Sequence, residues 1–257
     1  MHEGAAPGAL SRSTPAAVPL SAALAQPGRW RSARLAPPSA RGGAAGVPCT
    51  GKDCDRDMIR WLEQHWVAGA GFMAAGFLCL VPFLMTFLPV GFLLLYLHTP
   101  GYMIHQVEEH QGDRFRRFVN ERMFKGLEAL RTVDVLVVNL PLVWGLNLGS
   151  LYAAVIWGTG YGLAAPYAML INAITHVAAA VRLKRYNPGV VSSVLVFTPL
   201  SITTIWTAAH LPDVTISQHL AALGLAAAIH ALILAQAVRQ YRRQQAAHSD
   251  RGCVSEA

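Results

Sequence analysis

Two histidines flank two glutamates in an otherwise apolar part of the chain, in the order His105-Gln106-Val107-Glu108-Glu109-His110. On an α-helix, Glu108 and Glu109 follow His105 by three and four residues, so the three side chains would share one face. Ionisable side chains within long apolar segments are costly and are functional candidates by default. Two adjacent carboxylates in a weakly solvated site repel each other, so one should hold a proton unless a cation neutralises both.

A second polar pair, Asn172 and His176, is separated by one helical turn. His176 precedes Arg182 by about as many residues as His105 precedes the polar segment that begins at Gln111. We therefore expect His105 and His176 to lie at a similar depth. A third motif follows, because Tyr186-Asn187-Pro188-Gly189 predicts a tight turn.

Each of these groups also has a structural interpretation. Glu108 and Glu109 could mark the end of a span, with Arg114 or Arg117 as ion-pair partners. His176 taken alone could be a core histidine that is hydrogen-bonded to Asn172 or Thr175. The Tyr-Asn-Pro-Gly turn taken alone is more typical of a structural element than of a catalytic one.

The three motifs in this order, His105-x-x-Glu108-Glu109, Asn172-x-x-x-His176 and Tyr186-x-Pro188-Gly189, resemble the HXXEE-motif family of membrane proteins. The resemblance extends over roughly residues 66–240 and leaves out the N-terminal segment. It implies that these positions form a shared site, in a family that has been suspected of enzymatic activity. The family has no established function, so the resemblance implies no particular reaction.

Long apolar segments must position these residues. The chain has 257 residues, of which 53% are apolar and 14% are charged, whereas a typical soluble domain has about 25% charged residues. A helix that crosses a bilayer needs about 20 apolar residues, and the sequence predicts an all-α, polytopic transmembrane bundle of about six spans. The predicted spans are roughly residues 66–86, 88–110, 132–157, 161–183, 189–211 and 217–238. Residues 66–97 are too long for one crossing, so a break near Pro89 is expected.

The basic residues predict the orientation. All 21 Lys and Arg fall in residues 12–60, 114–131, 182–185 and 239–251, and six spans place these four blocks on one side of the membrane. The positive-inside rule makes that side cytoplasmic, so we predict a multi-pass protein of the cell membrane with both termini in the cytoplasm. The net charge is +7. We predict that the protein interacts with the lipid bilayer rather than with a nucleic acid, because the sequence has no nucleic-acid recognition motif. Asp113–Arg131 reads as a short amphipathic helix on the inner face.

The ends of the chain differ in composition from the apolar part. Residues 1–57 are rich in Ala, Pro, Gly, Ser and Arg, which predicts a disordered extension. Met58 is an alternative start, directly before the first span. The predicted transmembrane domain is residues 58–240, and residues 241–257 form a polar cytoplasmic tail.

The leading functional hypothesis is an integral-membrane enzyme that acts on a lipophilic small molecule. His105, Glu108, Glu109 and His176 have the donor types that bind a divalent metal ion such as Fe, Mn or Zn. Without a metal, a glutamate and a histidine would act as general acid and base. Asn172 would orient His176 or donate to a developing oxyanion.

Two other functions remain open. Paired acids within spans also form proton relays in transporters and carriers, although the sequence has no internal repeat of the kind common in transporters. The polar residues could instead bond helices together in a non-catalytic accessory subunit. In each case, four residues are expected to support the site: His110, Tyr186, Pro188 and Gly189.

Overall fold

The computed structural model describes residues 51–255, which form helices and short turns without a strand. The first two helices, α1 (Gly51–Leu84) and α2 (Val90–His110), pack against each other. They are separated by a short turn, and Pro89 occupies the position before α2. The apolar stretch 66–97 therefore breaks where its length and Pro89 predict.

Seven further helices follow: α3 (Arg114–Phe118), α4 (Thr132–Val137), α5 (Gly145–Trp157), α6 (Ala164–Leu183), α7 (Val190–Ser192), α8 (Thr198–Ala209) and α9 (Ile216–Ser255). Wider π-helical turns join α4 to α5 at Val138–Trp144 and α7 to α8 at Ser193–Phe197, so each pair forms one long helix. Pro141 lies within the first π turn, and proline removes one backbone donor from the regular α-helical pattern.

Five helical segments in the described region are long and apolar enough to cross a membrane: Arg60–Leu84, Thr132–Trp157, Thr159–Leu183, Val190–Ala209 and Ile216–His248. The all-helical, multi-span architecture predicted from the sequence is confirmed. The predicted span 88–110 corresponds to α2, which is long enough but is not among the five. Its C-terminal half carries histidine, glutamine and glutamate side chains that reduce its apolar character.

The polar side chains of α2 are tolerated because α2 is the central helix of the bundle. It packs against α1, α5, α6, α7 and α8, and most of its residues from Leu95 onward are buried. The other long helices expose many large apolar side chains on their outer faces. The sequence therefore places an apolar surface outside and a helix with ionisable residues at the centre.

The two ends of the described region extend beyond the predicted transmembrane domain. Helix α1 begins at Gly51, seven residues before Met58, so part of the predicted N-terminal extension is helical. Residues 1–50 of that extension lie outside the described region. Helix α9 continues through most of the predicted polar tail, and its Tyr241 ring lies 5.1 Å from the ring of Phe124.

Candidate functional site

The carboxylate of Glu109 lies at the centre of a group of histidines. Its Oε2 atom is 3.4 Å from Nε2 of His105, and its Oε1 atom is 3.4 Å from Nε2 of His176. Nε2 of His110 lies 2.9 Å from Oε2, although it is not aligned for a hydrogen bond. Helix α2 supplies three of these side chains and α6 supplies His176, so the packing of α2 against α6 forms the group.

Three members of this group, His105, Glu109 and His176, can offer one ligand atom each with all three atoms within 4.8 Å of one another. We call these three residues the His–Glu cluster. The cluster is deeply buried, because His105, Glu109 and His176 are 1%, 6% and 5% exposed. The depth that the sequence predicted for His105 and His176 agrees with their contact through Glu109.

Asn187 fixes the orientation of His176. The Nδ2 amide group donates to the backbone carbonyl of His176 at 2.8 Å, so the amide oxygen faces the imidazole. Nδ1 of His176 then donates to Oδ1 of Asn187, also at 2.8 Å. A neutral imidazole carries one N–H, so in the neutral form of His176 the lone pair of Nε2 points towards Glu109.

Glu108 points away from the His–Glu cluster and towards the chain segment 186–192. Its Oε1 accepts hydrogen bonds from the Tyr186 hydroxyl at 3.0 Å and from the Val191 amide at 3.1 Å. Its Oε2 accepts from the amide of Ser192 at 2.7 Å and from the hydroxyl of Ser192 at 2.5 Å. The metal-ligand set predicted from the sequence included Glu108. In the structure, this carboxylate is instead hydrogen-bonded to the first turn of the helix that begins at Val190.

The same serine reaches the cluster. Oγ of Ser192 is 2.8 Å from Nδ1 of His105, and both side chains are almost fully buried. Glu108, Ser192 and His105 therefore form a continuous line of hydrogen bonds from the turn to the cluster. Partial burial and the Glu108 carboxylate raise the pKa of Tyr186, so its phenol keeps the proton that it donates to Glu108.

Gly189 lies directly against both cluster histidines. Its φ of +97° is in the left-handed region, and a Cβ at this position would lie 2.7 Å from Cε1 of His105 and 2.7 Å from Cε1 of His176. Only glycine combines this backbone conformation with such a close approach. Pro188, the preceding residue of the turn, is buried.

Aromatic rings enclose the histidines. The Phe197 ring lies 4.2 Å from that of His105, and the Tyr102 ring lies beside both. Phe115, on α3, lies 5.7 Å from the rings of His110 and of His176. Trp66 on α1 packs against His110 at 5.0 Å. The surroundings of the cluster are therefore apolar and aromatic on several sides.

Asn172 lies outside the cluster. The amide that binds His176 belongs to Asn187 instead. Arg114 and Arg117 do not pair with the glutamates. They donate to backbone carbonyls at and just after the end of α2, where Arg114 binds the carbonyl of Glu108.

Sequence reasoning missed the roles of Asn187, Ser192 and Phe197. Asn187 is part of the turn motif, and its amide side chain could have indicated a hydrogen-bond partner for His176. Ser192 and Phe197 gave none, because their roles depend on how the helix that begins at Val190 packs against α2.

A separate groove lies on another part of the described region. It has a volume of about 780 Å³, and apolar residues of α6 and of the Val190–Ala209 helix line it, with Arg182 at one end. Two of its α6 residues, Ile174 and Val181, lie on the opposite side of the helix from His176, given 3.6 residues per turn, whereas Ala173 lies one turn before His176.

Comparisons with known proteins identify one family. Residues 96–204 match the model of a family described as proteins of unknown function with an HXXEE motif. Comparisons with curated proteins and with solved structures find no match. The matched segment contains all three motifs and every residue of the His–Glu cluster. The resemblance predicted from the sequence is thus confirmed, and residues 96–204 of this chain carry the HXXEE family's sequence pattern.

Proposed function

We propose that the protein is an integral-membrane, metal-dependent enzyme that acts on a lipophilic substrate at the His–Glu cluster. The observation that carries this proposal is the convergence of two imidazole nitrogens and one carboxylate within 4.8 Å, all buried in a bundle of apolar helices. Two histidines and a carboxylate are a donor set for Fe, Mn or Zn.

The distances within the cluster fit a shared ion better than direct hydrogen bonds. The two separations of 3.4 Å between histidine nitrogens and Glu109 oxygens exceed the roughly 2.7–2.9 Å of a charge-assisted hydrogen bond. Two ligands that each bind one tetrahedral ion at about 2.0–2.2 Å lie about 3.3–3.6 Å apart. Nε2 of His105 is also buried without a hydrogen-bond partner among the described residues, which is costly unless something binds it.

Three protein ligands leave positions for substrate or water. A divalent ion held there supplies a Lewis acid that activates water, oxygen or a carbonyl group. His110 contributes a different function, because it lies outside the three-residue set with Nε2 facing Glu109. His110 therefore has a supporting role, in which Phe115 and Trp66 pack against its ring and hold it beside Glu109.

The proposed substrate is lipophilic because of where the cluster lies. The rings of Phe197, Tyr102 and Phe115 surround the histidines, and the surrounding helices have the length and composition of membrane spans. We further propose that the site opens towards the cytoplasmic face of the cell membrane, with both termini on that side. The one-sided distribution of basic residues supports this orientation.

Metal analysis of the purified protein tests the proposal. The protein would be purified in detergent without added metal, and bound metals would be measured by mass spectrometry. We expect close to one divalent ion per chain in the wild type and its loss in Glu109→Gln and His176→Ala. His210→Gln is the control, because His210 is exposed just after the end of α8 and contacts only the backbone carbonyl and the ring of Trp206, far from the cluster in sequence.

The same experiment can refute the proposed metal-dependent enzymatic function. A folded wild-type protein that holds no metal, even after incubation with Fe, Mn and Zn, would contradict a metal centre and leave general acid–base chemistry by His and Glu. Uptake driven by a pH gradient in proteoliposomes, abolished by Glu109→Gln, would favour a proton-coupled carrier. Loss of a partner protein from the complex, with neither metal nor uptake, would favour an accessory subunit.

A further inference from the structure

The carboxylate of Glu108, the first glutamate of the HXXEE motif, accepts hydrogen bonds from one segment of the chain, residues 186–192. Both oxygens of Glu108 accept backbone N–H groups, those of Val191 and Ser192. These donors belong to the first turn of a helix, where backbone N–H groups lack intrahelical partners. The carboxylate therefore caps, from α2, the helix that begins at Val190.

The hydrogen bonds of Ser192 determine which ring nitrogen of His105 carries the hydrogen. A serine hydroxyl has one hydrogen, and the shortest contact of Ser192 Oγ is the one to Oε2 of Glu108, at 2.5 Å. With its hydrogen committed to the carboxylate, Oγ is an acceptor for the contact with His105 Nδ1 at 2.8 Å. Nδ1 of His105 must then carry the N–H, and Nε2 presents its lone pair to the cluster.

We propose that Glu108 and Ser192 are positioning residues that hold His105 in the tautomer and ring orientation needed for metal binding. Glu108 is therefore not a ligand, and the two glutamates of the motif have different tasks: Glu109 lies in the cluster, and Glu108 acts through Ser192. This inference rests on the proposed function in one respect, because it takes the Nε2 lone pair of His105 to be a metal ligand.

The alternative that Ser192 is a nucleophile fits the contacts less well. A nucleophilic serine needs its hydrogen directed at a base, whereas this hydrogen is directed at Glu108 and the facing imidazole nitrogen is a donor. The amides of Val191 and Ser192, which could otherwise stabilise an oxyanion, are already bound to Glu108. Ser192 is also only 5% exposed.

Two variants with one matched control test the role of Ser192. Ser192→Ala removes the acceptor of His105 Nδ1, and Ser192→Thr retains a hydroxyl. Ser193→Ala is the control, because the neighbouring hydroxyl is fully buried and has no hydrogen-bond partner among the described residues. Loss of such an orienting contact typically weakens metal affinity about 10- to 100-fold, so we expect this loss in Ser192→Ala, near wild-type affinity in Ser192→Thr and no change in Ser193→Ala.

The tautomer is measured separately, in metal-free protein with ¹⁵N-labelled histidine, by NMR couplings that report which ring nitrogen carries the hydrogen. We expect N–H at Nδ1 of His105 in the wild type and in Ser193→Ala, and a mixture of tautomers in Ser192→Ala. An Nε2–H tautomer in the wild type, or an unchanged tautomer in Ser192→Ala, would overturn the positioning role. If the tautomers behave as expected but no variant binds metal, the positioning role stands and the metalloenzyme fails.

Discussion

Gly189→Ala is the sharpest test of whether the turn motif belongs to the site. The added Cβ would lie 2.7 Å from a carbon of each cluster histidine, where ordinary contacts begin at 3.4 Å. Moving one ring does not relieve the other contact, because the two rings lie against the glycine together. The substitution should therefore push His105 and His176 apart and disrupt the proposed metal site.

The energetic cost has two parts. A residue with a Cβ in the left-handed region costs about 1–2 kcal/mol, and Gly189 has φ of +97°. Overpacking a buried site costs a further 1–3 kcal/mol, approximately. Gly189→Ala should thus lower the free energy of unfolding by about 2–5 kcal/mol and should abolish stoichiometric metal binding.

Gly126→Ala separates the backbone cost from the cost of overpacking. Gly126 has φ of +85°, but a Cβ there would meet nothing within 4 Å, so only the backbone cost of about 1–2 kcal/mol applies. Both variants would be unfolded in detergent with a denaturant, and their metal content would be measured. The reasoning fails if Gly189→Ala matches Gly126→Ala in stability and still binds one ion per chain.

Two further substitutions probe the support of the cluster. Asn187→Ala removes both hydrogen bonds to His176, so it should cost about 1–3 kcal/mol for each buried group left unpaired and should lower metal affinity. The control is Asn120→Ala, which breaks a similar pair of bonds to Leu130 and should lower stability alone. Equal loss of metal in both variants would contradict an orienting role for Asn187. Phe197→Ala should lower the free energy of unfolding by about 3–5 kcal/mol, because it leaves a cavity. The control is Leu195→Ala, at a side chain 69% exposed, which should change the free energy of unfolding by less than about 0.5 kcal/mol. Similar unfolding curves for these two variants would show that the ring beside His105 is not closely packed.

The sequence predicted the helices and the cluster's main members because both follow from helical periodicity. Spacing placed Glu108 and Glu109 together on the face of His105, but it could not distinguish them. Side chains at consecutive positions point about 100° apart on a helix, and that rotation directs Glu109 to the histidines and Glu108 to the segment 186–192. Which side each glutamate faces depends on the neighbouring helices, and these are set by tertiary packing.

The amide that orients His176 shows the same limit. Asn172 precedes His176 by one turn, so local spacing favoured it. Residues four apart on a helix are neighbours, but the structure satisfies His176 from the following turn through Asn187. A contact between a helix and the loop that follows it has no periodic signature, so the sequence alone could not predict it.

The Tyr-Asn-Pro-Gly turn connects the three motifs into one unit. Tyr186 binds Glu108, Asn187 binds His176, and Gly189 lies against both histidines. A turn that only reversed the chain would need none of these contacts. Because each residue restrains a different part of the cluster, a change in the turn should alter the geometry of the site even where the turn itself still forms. The separation into a structural turn and a functional cluster, reasonable for either motif alone, therefore does not hold for the folded protein.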